Sequence, residues 1–184
     1  MMTKLPENFE LDRYGLHVRL VREEDAEFIV RLRTDSKLGH YIHATSSDVS
    51  KQIEWLHAYK ERELRGKEYY FVFEVPQDHP VGVMRIYDIS NDAFTIGSWV
   101  FDKSSPKGAA ILADLIVKEI GWELFPDKVC LWDNMKGNTN VIRFGLSFHP
   151  TLIRETDTQL FFSCRKENFE KTKQLYLRMY TKLK

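Results

Sequence analysis

The chain has 184 residues, 43% apolar and 13% aromatic, which suits one folded unit with a substantial core and excludes a disordered chain. Lys plus Arg and Asp plus Glu each number 27, so the overall balance offers no electrostatic footprint for nucleic acid or an anionic membrane. No stretch approaches a transmembrane span and the opening MMTKLPENFELDRYG lacks an apolar secretory core. Cys130 and Cys164 lie in apolar runs without C-x-x-C spacing, so the expectation is a cytoplasmic protein with reduced, buried cysteines.

Leu16 to Val21 alternates as a strand, with Leu16, Val18 and Leu20 on one side and His17 and Arg19 on the other. A helix follows from Arg22-Glu23-Glu24-Asp25, carrying Ala26, Ile29, Val30 and Arg33 on one face. Asp35 to Ser47 has weak periodicity and reads as a loop or short helix holding His40 and His43. Asp48 then caps a second helix that ends near Arg65-Gly66. Glu68 to Val75, Pro80 to Tyr87 and Ala93 to Phe101 read as three strands joined by short turns, which favours an antiparallel meander.

The next helix is the most informative element. It opens Ser105-Pro106-Lys107-Gly108-Ala109-Ala110 and runs to about Leu124, apolar on most of its circumference, so it should pack deeply on a sheet. Ser105 suits an N-cap and Pro106 the first helical position. The first turn holds no Asp or Glu before Asp114 and offers Lys107 instead. Free N–H groups, small side chains and a cation make this an anion site suited to phosphate, whereas Ser-Pro capping alone would leave an ordinary helix start. Lys128 to Trp132 is a further strand, Asn138 to about Leu146 a short helix, Thr151 to Cys164 a hairpin around Glu155-Thr156-Asp157, and Glu167 to Leu183 an amphipathic helix. With no repeat, low-complexity tract or linker, residues 1–184 read as one mixed α/β domain.

This order of elements resembles the GNAT superfamily of acyl-CoA N-acyltransferases over residues 14 to 164. LHVRLVREEDAEFIVRLRTD is similar to the first strand and helix of its ribosomal-protein and nucleotide-sugar acetyltransferase branches. PVGVMRIYDI and FTIGSWVF resemble its third and fourth strands, SSPKGAA occupies the place of its pyrophosphate loop, and NTNVIRFGLSF that of its Asn-containing helix. The resemblance implies a mostly antiparallel central sheet flanked by helices, with the family's fourth and fifth strands (here Ala93–Phe101 and Lys128–Trp132) splayed to admit acetyl-CoA. It implies that backbone groups of Trp99, Val100 and Phe101 pair with pantetheine. The N–H groups of Lys107, Gly108, Ala109 and Ala110 would hold the pyrophosphate and Asn138 would position the cofactor. Ser105 stands where relatives have Gln or Arg, shifting one phosphate contact toward Lys107 or Lys103.

The reaction the resemblance implies is attack of a neutral amine on a thioester, which needs a route for the amine proton. The chain departs from the family at both proton-handling positions: Thr95 precedes Ile96-Gly97 where a Glu is common, and Gly145 stands seven residues after Asn138 where a Tyr is common. Asp92, Tyr41 and His43 are therefore the candidate catalytic residues, with Asp88 and His40 beside them. Two alternatives stay open: a water path with proximity supplying the rate, or acyl-CoA binding without turnover. No His or Cys pair has metal spacing. Trp55, Trp99, Trp122 and Trp132 read as core or cofactor wall rather than a nucleic-acid platform. Arg19, Arg31, Arg33 and Arg85 are candidates for a charged acceptor, with surface solvation the commoner fate.

Lys37 to Asp48 and Thr151 to Thr158 are expected to border the acceptor. The neutral polar character of Tyr41, Thr45, Ser46 and Ser47 suits a hydroxyl-rich small-molecule amine such as a nucleotide-linked amino sugar. A protein N-terminus is the alternative acceptor, and a monomer or homodimer the expected state.

Overall fold

The computed structural model describes residues 4–42, 45–75 and 79–181. Among these, eight strands make one sheet: β1 (Glu10–Arg13), β2 (Leu16–Leu20), β3 (Tyr69–Val75), β4 (His79–Tyr87), β5 (Ala93–Phe101), β6 (Val129–Met135), β7 (Thr151–Glu155) and β8 (Gln159–Cys164). Five helices accompany it: α1 (Ala26–Thr34), α2 (Val49–Leu64), α3 (Ala109–Leu124), α4 (Thr139–Leu146) and α5 (Lys166–Tyr180). The strand order is β1-β2-β3-β4-β5-β6-β8-β7, and every neighbouring pair is antiparallel except β5 with β6. The mixed α/β architecture read from the sequence is the one observed. β1, which the sequence reading leaves unassigned, pairs with β2 through the Tyr14-Gly15 turn, where both residues have positive φ as a two-residue hairpin requires.

Strand alternation sorts the core into two layers. Tyr69, Phe71 and Phe73 point to the α3 side, where they join Leu115, Ile116, Ile120 and Phe169 of α5. Tyr70 and Val72 point the other way and pack with Ile29 and Leu32 of α1 and Leu56 and Tyr59 of α2. At about 0.8 kcal/mol per buried methylene, these layers supply most of the drive that holds helices on both faces. α2 is capped as expected, the Asp48 side chain accepting from the Ser50 N–H. Arg19, expected on a solvated face, is only 7% exposed. It donates to both carboxylate oxygens of Asp25 at 2.8 Å and to Glu74 at 2.9 Å, a bidentate geometry that offsets the cost of burying the charge.

The feature that opens the sheet lies between β5 and β6. Their pairing covers only Ala93–Val129, Phe94–Cys130 and Thr95–Leu131. Beyond Thr95 the two strands part, leaving the β5 edge unladdered on that side. Within β5, Arg85 faces Gly97 and Val83 faces Val100, so Ser98 and Trp99 together oppose Met84. This is a β-bulge, and Ser98 sits in it at φ 52°.

Candidate active site

The parting of β5 and β6 makes a cleft of about 290 Å³ that passes through the sheet. On the α3 side its wall includes Asp114, Lys118, Trp132 and Phe144. On the α1–α2 side it includes Arg33, Tyr41, Arg85, Tyr87 and Asp133, with the Gly97–Trp99 bulge at the centre. A cleft with two mouths lets two reactants meet from opposite faces.

The α3 side is dominated by an ion pair in an aromatic box. Lys118 donates to Asp114 at 2.6 Å, and the two side chains are 2% and 5% exposed. The ammonium also lies 4.1 Å from the Phe148 ring centroid and 5.0 Å from that of Trp132, so rings replace part of its lost water. Burial pushes the Asp114 carboxyl up while Lys118 opposes it. Gly145 belongs to this wall: a Cβ there would come within 3.1 Å of the Trp132 indole nitrogen. The indole occupies space that a tyrosine at 145 would need.

On the other face, Asp133 alternates with the inward-facing Trp132 and so projects toward α1 and α2. Its Oδ2 accepts from Gln159 Nε2 at 3.0 Å. Tyr87 stands in the same cleft, its phenol pushed up to about 12 by burial first and by the Asp133 charge second, so the hydroxyl stays protonated at neutral pH. Asn134 Oδ1, also in the cleft wall, is a buried acceptor without a hydrogen-bond partner. Neither Asp133 nor Lys118 was singled out from sequence. The available signal was period-2 alternation continuing from Cys130-Leu131-Trp132 into Asp133-Asn134-Met135, past the point where polar residues appear to end the strand.

The loop before α3 departs in detail from the sequence reading. The helix begins at Ala109, with Gly108 as N-cap at φ 89°. Ser105 is not the cap: its hydroxyl donates to the Asp102 carbonyl at 2.6 Å, inside a turn that Asp102 closes by accepting from the Ser104 N–H and hydroxyl. Pro106 lies in that turn rather than at the first helical position. The Ala109 N–H is committed to the Pro106 carbonyl at 2.9 Å, so it is not available to a ligand. Among the described residues, the N–H groups of Lys107, Gly108, Ala110 and Ile111 have no protein acceptor. The first turn of α3 is free of acidic residues, and the Trp99 indole ties it to the bulge by donating to the Ala110 carbonyl at 3.0 Å. Arg31–Asp102 (2.5 Å) and Lys103–Asp35 (2.8 Å) fasten the loop to the end of α1.

The remaining expected site residues divide. Trp99, Asn138 and Tyr41 line the cleft. The side chains of Val100 and Phe101 are buried in the two core layers, so only their backbone edge faces the gap. Asp92 does not belong to the cleft: it is exposed in the turn before β5, at the paired end of β5 and β6, where its carbonyl accepts from the Val129 N–H at 3.0 Å. Asp88, also exposed, and His40, whose ring lies edge-on to Tyr41, are not cleft residues either. His43 lies outside the described residues.

Comparison with known proteins agrees with this geometry. The sequence profile of the acetyltransferase (GNAT) domain matches residues 16–148. No curated protein sequence matches the chain. Among solved structures, apo FdhC, described as a nucleotide-linked sugar GNAT, superposes with a TM-score of 0.83 at 35% identity, over 94% of this chain and 99% of that one. The ribosomal-protein-S5-alanine acetyltransferase of Vibrio fischeri superposes with a TM-score of 0.72 at 14% identity, over 88% and 99% of the two chains. Mycobacterium smegmatis RimJ, solved with CoA-disulfide, does so with a TM-score of 0.71 at 16% identity, over 90% of each. The last two likenesses speak to the fold alone. The profile match and the FdhC likeness, added to a sheet split between its one parallel pair, show that the chain is an N-acetyltransferase belonging to the GNAT family.

Proposed function

We propose that the chain transfers an acetyl group from acetyl-CoA to the primary amine of a nucleotide-linked amino sugar. The observation that carries this reading is the cleft at the β5–β6 split, with Asp133 in one wall and Trp99 in the bulge tying it to the first turn of α3. The likeness to a nucleotide-linked sugar GNAT at 35% identity supports the acceptor class. In this reading the donor enters from the α3–α4 side. The N–H groups of Lys107, Gly108, Ala110 and Ile111 face its pyrophosphate, where the helix N-terminus favours anions. Asn138 and the β5 edge from Trp99 to Phe101 hold its pantetheine arm. Acetyl-CoA supplies the thioester carbonyl.

The chain's own residues supply orientation and proton transfer. A backbone N–H of the Ser98–Trp99 bulge is the donor for the oxygen on which charge develops. Asp133 takes one proton from the acceptor ammonium, which frees the nitrogen lone pair; its bond to Gln159 fixes the carboxylate for that task. Attack forms the C–N bond, the C–S bond breaks with release of the CoA thiolate, and Tyr87 and Tyr41 are the phenols within the same cleft that can protonate that sulfur.

The test is thermal shift with acetyl-CoA and CoA, followed by a thiol-release assay with nucleotide-linked amino sugars and N-terminal peptides as rival acceptors. Ligand at a hundred times its dissociation constant adds about 2.7 kcal/mol of stability. Absence of a shift with both forms of CoA refutes the donor assignment, and turnover with peptides alone refutes the acceptor.

A further inference from the structure

A second cavity of about 260 Å³ adjoins the cleft on the α1–α2 face and shares Arg33 and Arg85 with it. Three cations reach its wall: Arg33 from α1, Lys51 from α2 and Arg85 from β4. Among the described residues no carboxylate lines it. Glu68 serves both Arg85 and Arg62, one carboxylate for two guanidiniums. The Arg85 guanidinium is otherwise bounded by rings, with centroids of Trp55 at 5.0 Å and Tyr70 at 5.6 Å. Arg33 donates Nε to Thr45 Oγ1 at 2.6 Å, which aligns its guanidinium along the cavity.

The unpaired polar atoms fall in the same place. Among the described residues, three buried side-chain polar atoms lack a hydrogen-bond partner: Tyr70 Oη, Arg85 Nε and Asn134 Oδ1. The first two line this cavity: the Arg85 Nε–H is a donor without an acceptor, and the Tyr70 hydroxyl, which has Arg33 beside it, keeps its own proton to donate. Tyr70 is 2% exposed, so that proton is shielded from bulk water. Burial raises its pKa, so the hydroxyl remains a donor while Arg33 and Arg85 oppose that shift. Three cations, an unsatisfied Arg85 N–H, a buried Tyr70 hydroxyl and, among the described residues, no acid describe a receptor for a multiply charged oxyanion.

We propose that this cavity binds the phosphoryl part of the acceptor, held by Arg33, Lys51, Arg85 and the Tyr70 hydroxyl, while the acceptor amine lies in the adjoining cleft beside Asp133. The inference rests on the transferase reading above and deepens it: the acceptor carries its phosphate on the side of the amine away from CoA. The shared chemistry is the phosphoryl group, whether a nucleoside diphosphate or a sugar monophosphate.

The experiment titrates the full chain with UDP, inorganic pyrophosphate and inorganic phosphate by calorimetry, with CoA saturating so that its own diphosphate site is filled. Two variants accompany the wild type. Tyr70→Phe removes the buried hydroxyl and keeps the ring, and its urea midpoint, read without anion, reports any folding cost separately from the binding loss. Lys51→Glu reverses a charge on an exposed helix position. Each should weaken UDP binding roughly 10- to 100-fold, the worth of one hydrogen bond to a charged group, and leave the CoA affinity unchanged. UDP and pyrophosphate binding well above phosphate identifies a diphosphate acceptor; equal binding identifies a monophosphate. UDP affinity unchanged in both variants, or no saturable binding of any of the three anions, overturns the site. Failure of the wild type to bind acetyl-CoA removes the transferase reading instead, and an intact UDP effect in that case keeps the anion site.

Discussion

Gly108 joins local strain, packing and the proposed pyrophosphate mouth, and Gly108→Ala separates them. At φ 89° the backbone is in the left-handed region, which costs a residue with a Cβ about 1–2 kcal/mol. The new methyl group would also come within 2.7 Å of Tyr180 Cγ and 2.9 Å of Cε1. Forcing a carbon into packed space costs about 1–3 kcal/mol more. Tyr180 is only half-buried in the last turn of α5, so its ring can swing aside and the lower half of that range applies. The expected total is about 2–4 kcal/mol, read as a shift in urea midpoint at unchanged m. In a Tyr180→Ala background the steric part vanishes and Gly108→Ala should cost only the backbone part, so the cycle shows a coupling of about 1–2 kcal/mol. Acetyl-CoA affinity behaves differently. It should fall about tenfold in Gly108→Ala whichever residue occupies 180, because the Gly108 N–H is reoriented in both backgrounds. A cost below about 0.5 kcal/mol, or an affinity restored by Tyr180→Ala, would refute the assignment of strain and of donor direction together.

Four further outcomes are expected. Asp133→Asn should lower kcat about 10²- to 10⁴-fold with little change in the KM for acetyl-CoA, measured by thiol release; an unchanged kcat sinks its role as base. Lys107→Glu should weaken CoA binding in isothermal titration by placing a carboxylate beside the pyrophosphate, and unchanged affinity would dismiss the loop. Lys118→Met leaves Asp114 buried without its cation and should cost about 3–5 kcal/mol, recovered in part by Asp114→Leu in the same chain. Because burial raises the Asp114 pKa, that single variant should gain stability as pH falls toward the carboxyl's range; denaturation at successive pH values reads this directly. Asp102 works in the opposite direction. Hydrogen bonds from the Ser104 N–H and hydroxyl, then from Arg31, lower its carboxyl to about 2 from 3.8. Its stabilisation is present above about pH 4 and lost as pH falls toward 2. Asp102→Asn should flatten the acid limb by roughly 1 kcal/mol once solvent screening is allowed for, and an unchanged limb refutes the pairing.

The elements that could be read from sequence are those whose pattern is local. Hydrophobic period and turn residues placed β5 at Ala93–Phe101 with no error and α2 and α4 to within a residue, because burial on one face is written into neighbouring positions. What sequence could not show depends on distant partners. Ser105 has the side chain of a cap, yet Asp102 offers its hydroxyl a nearer carbonyl, and the helix start moves to Gly108. Arg19 reads as solvated until Asp25 and Glu74 are brought to it by α1's approach and by β3. Gly145 reads as a missing proton donor, whereas Trp132 from the neighbouring strand fills the space a side chain would take.

The residues proposed for the donor lie close together in the sequence, and those proposed for the acceptor do not. The proposed donor mouth draws on one strand, one loop and one helix between Trp99 and Ile111, with Asn138 joining from α4. The proposed acceptor mouth draws Arg33 from α1, Lys51 from α2, Tyr70 from β3, Arg85 from β4 and Asp133 from β6. Lys51, Tyr70 and Asp133 are unremarkable beside their chain neighbours, and Arg33 and Arg85 stand out only as two of four arginines that suit a charged acceptor. Arg85 acquires meaning only when alternation turns it to the face of Tyr70 and away from Met84, and Asp133 only when β6 outruns its pairing with β5. A transferase whose sheet is split in this way can keep its donor loop while changing acceptor chemistry through single outward-facing positions on four or five separate elements. On the proposed reading, the charge that those positions gather on one face, rather than any contiguous motif, sets the acceptor's chemistry.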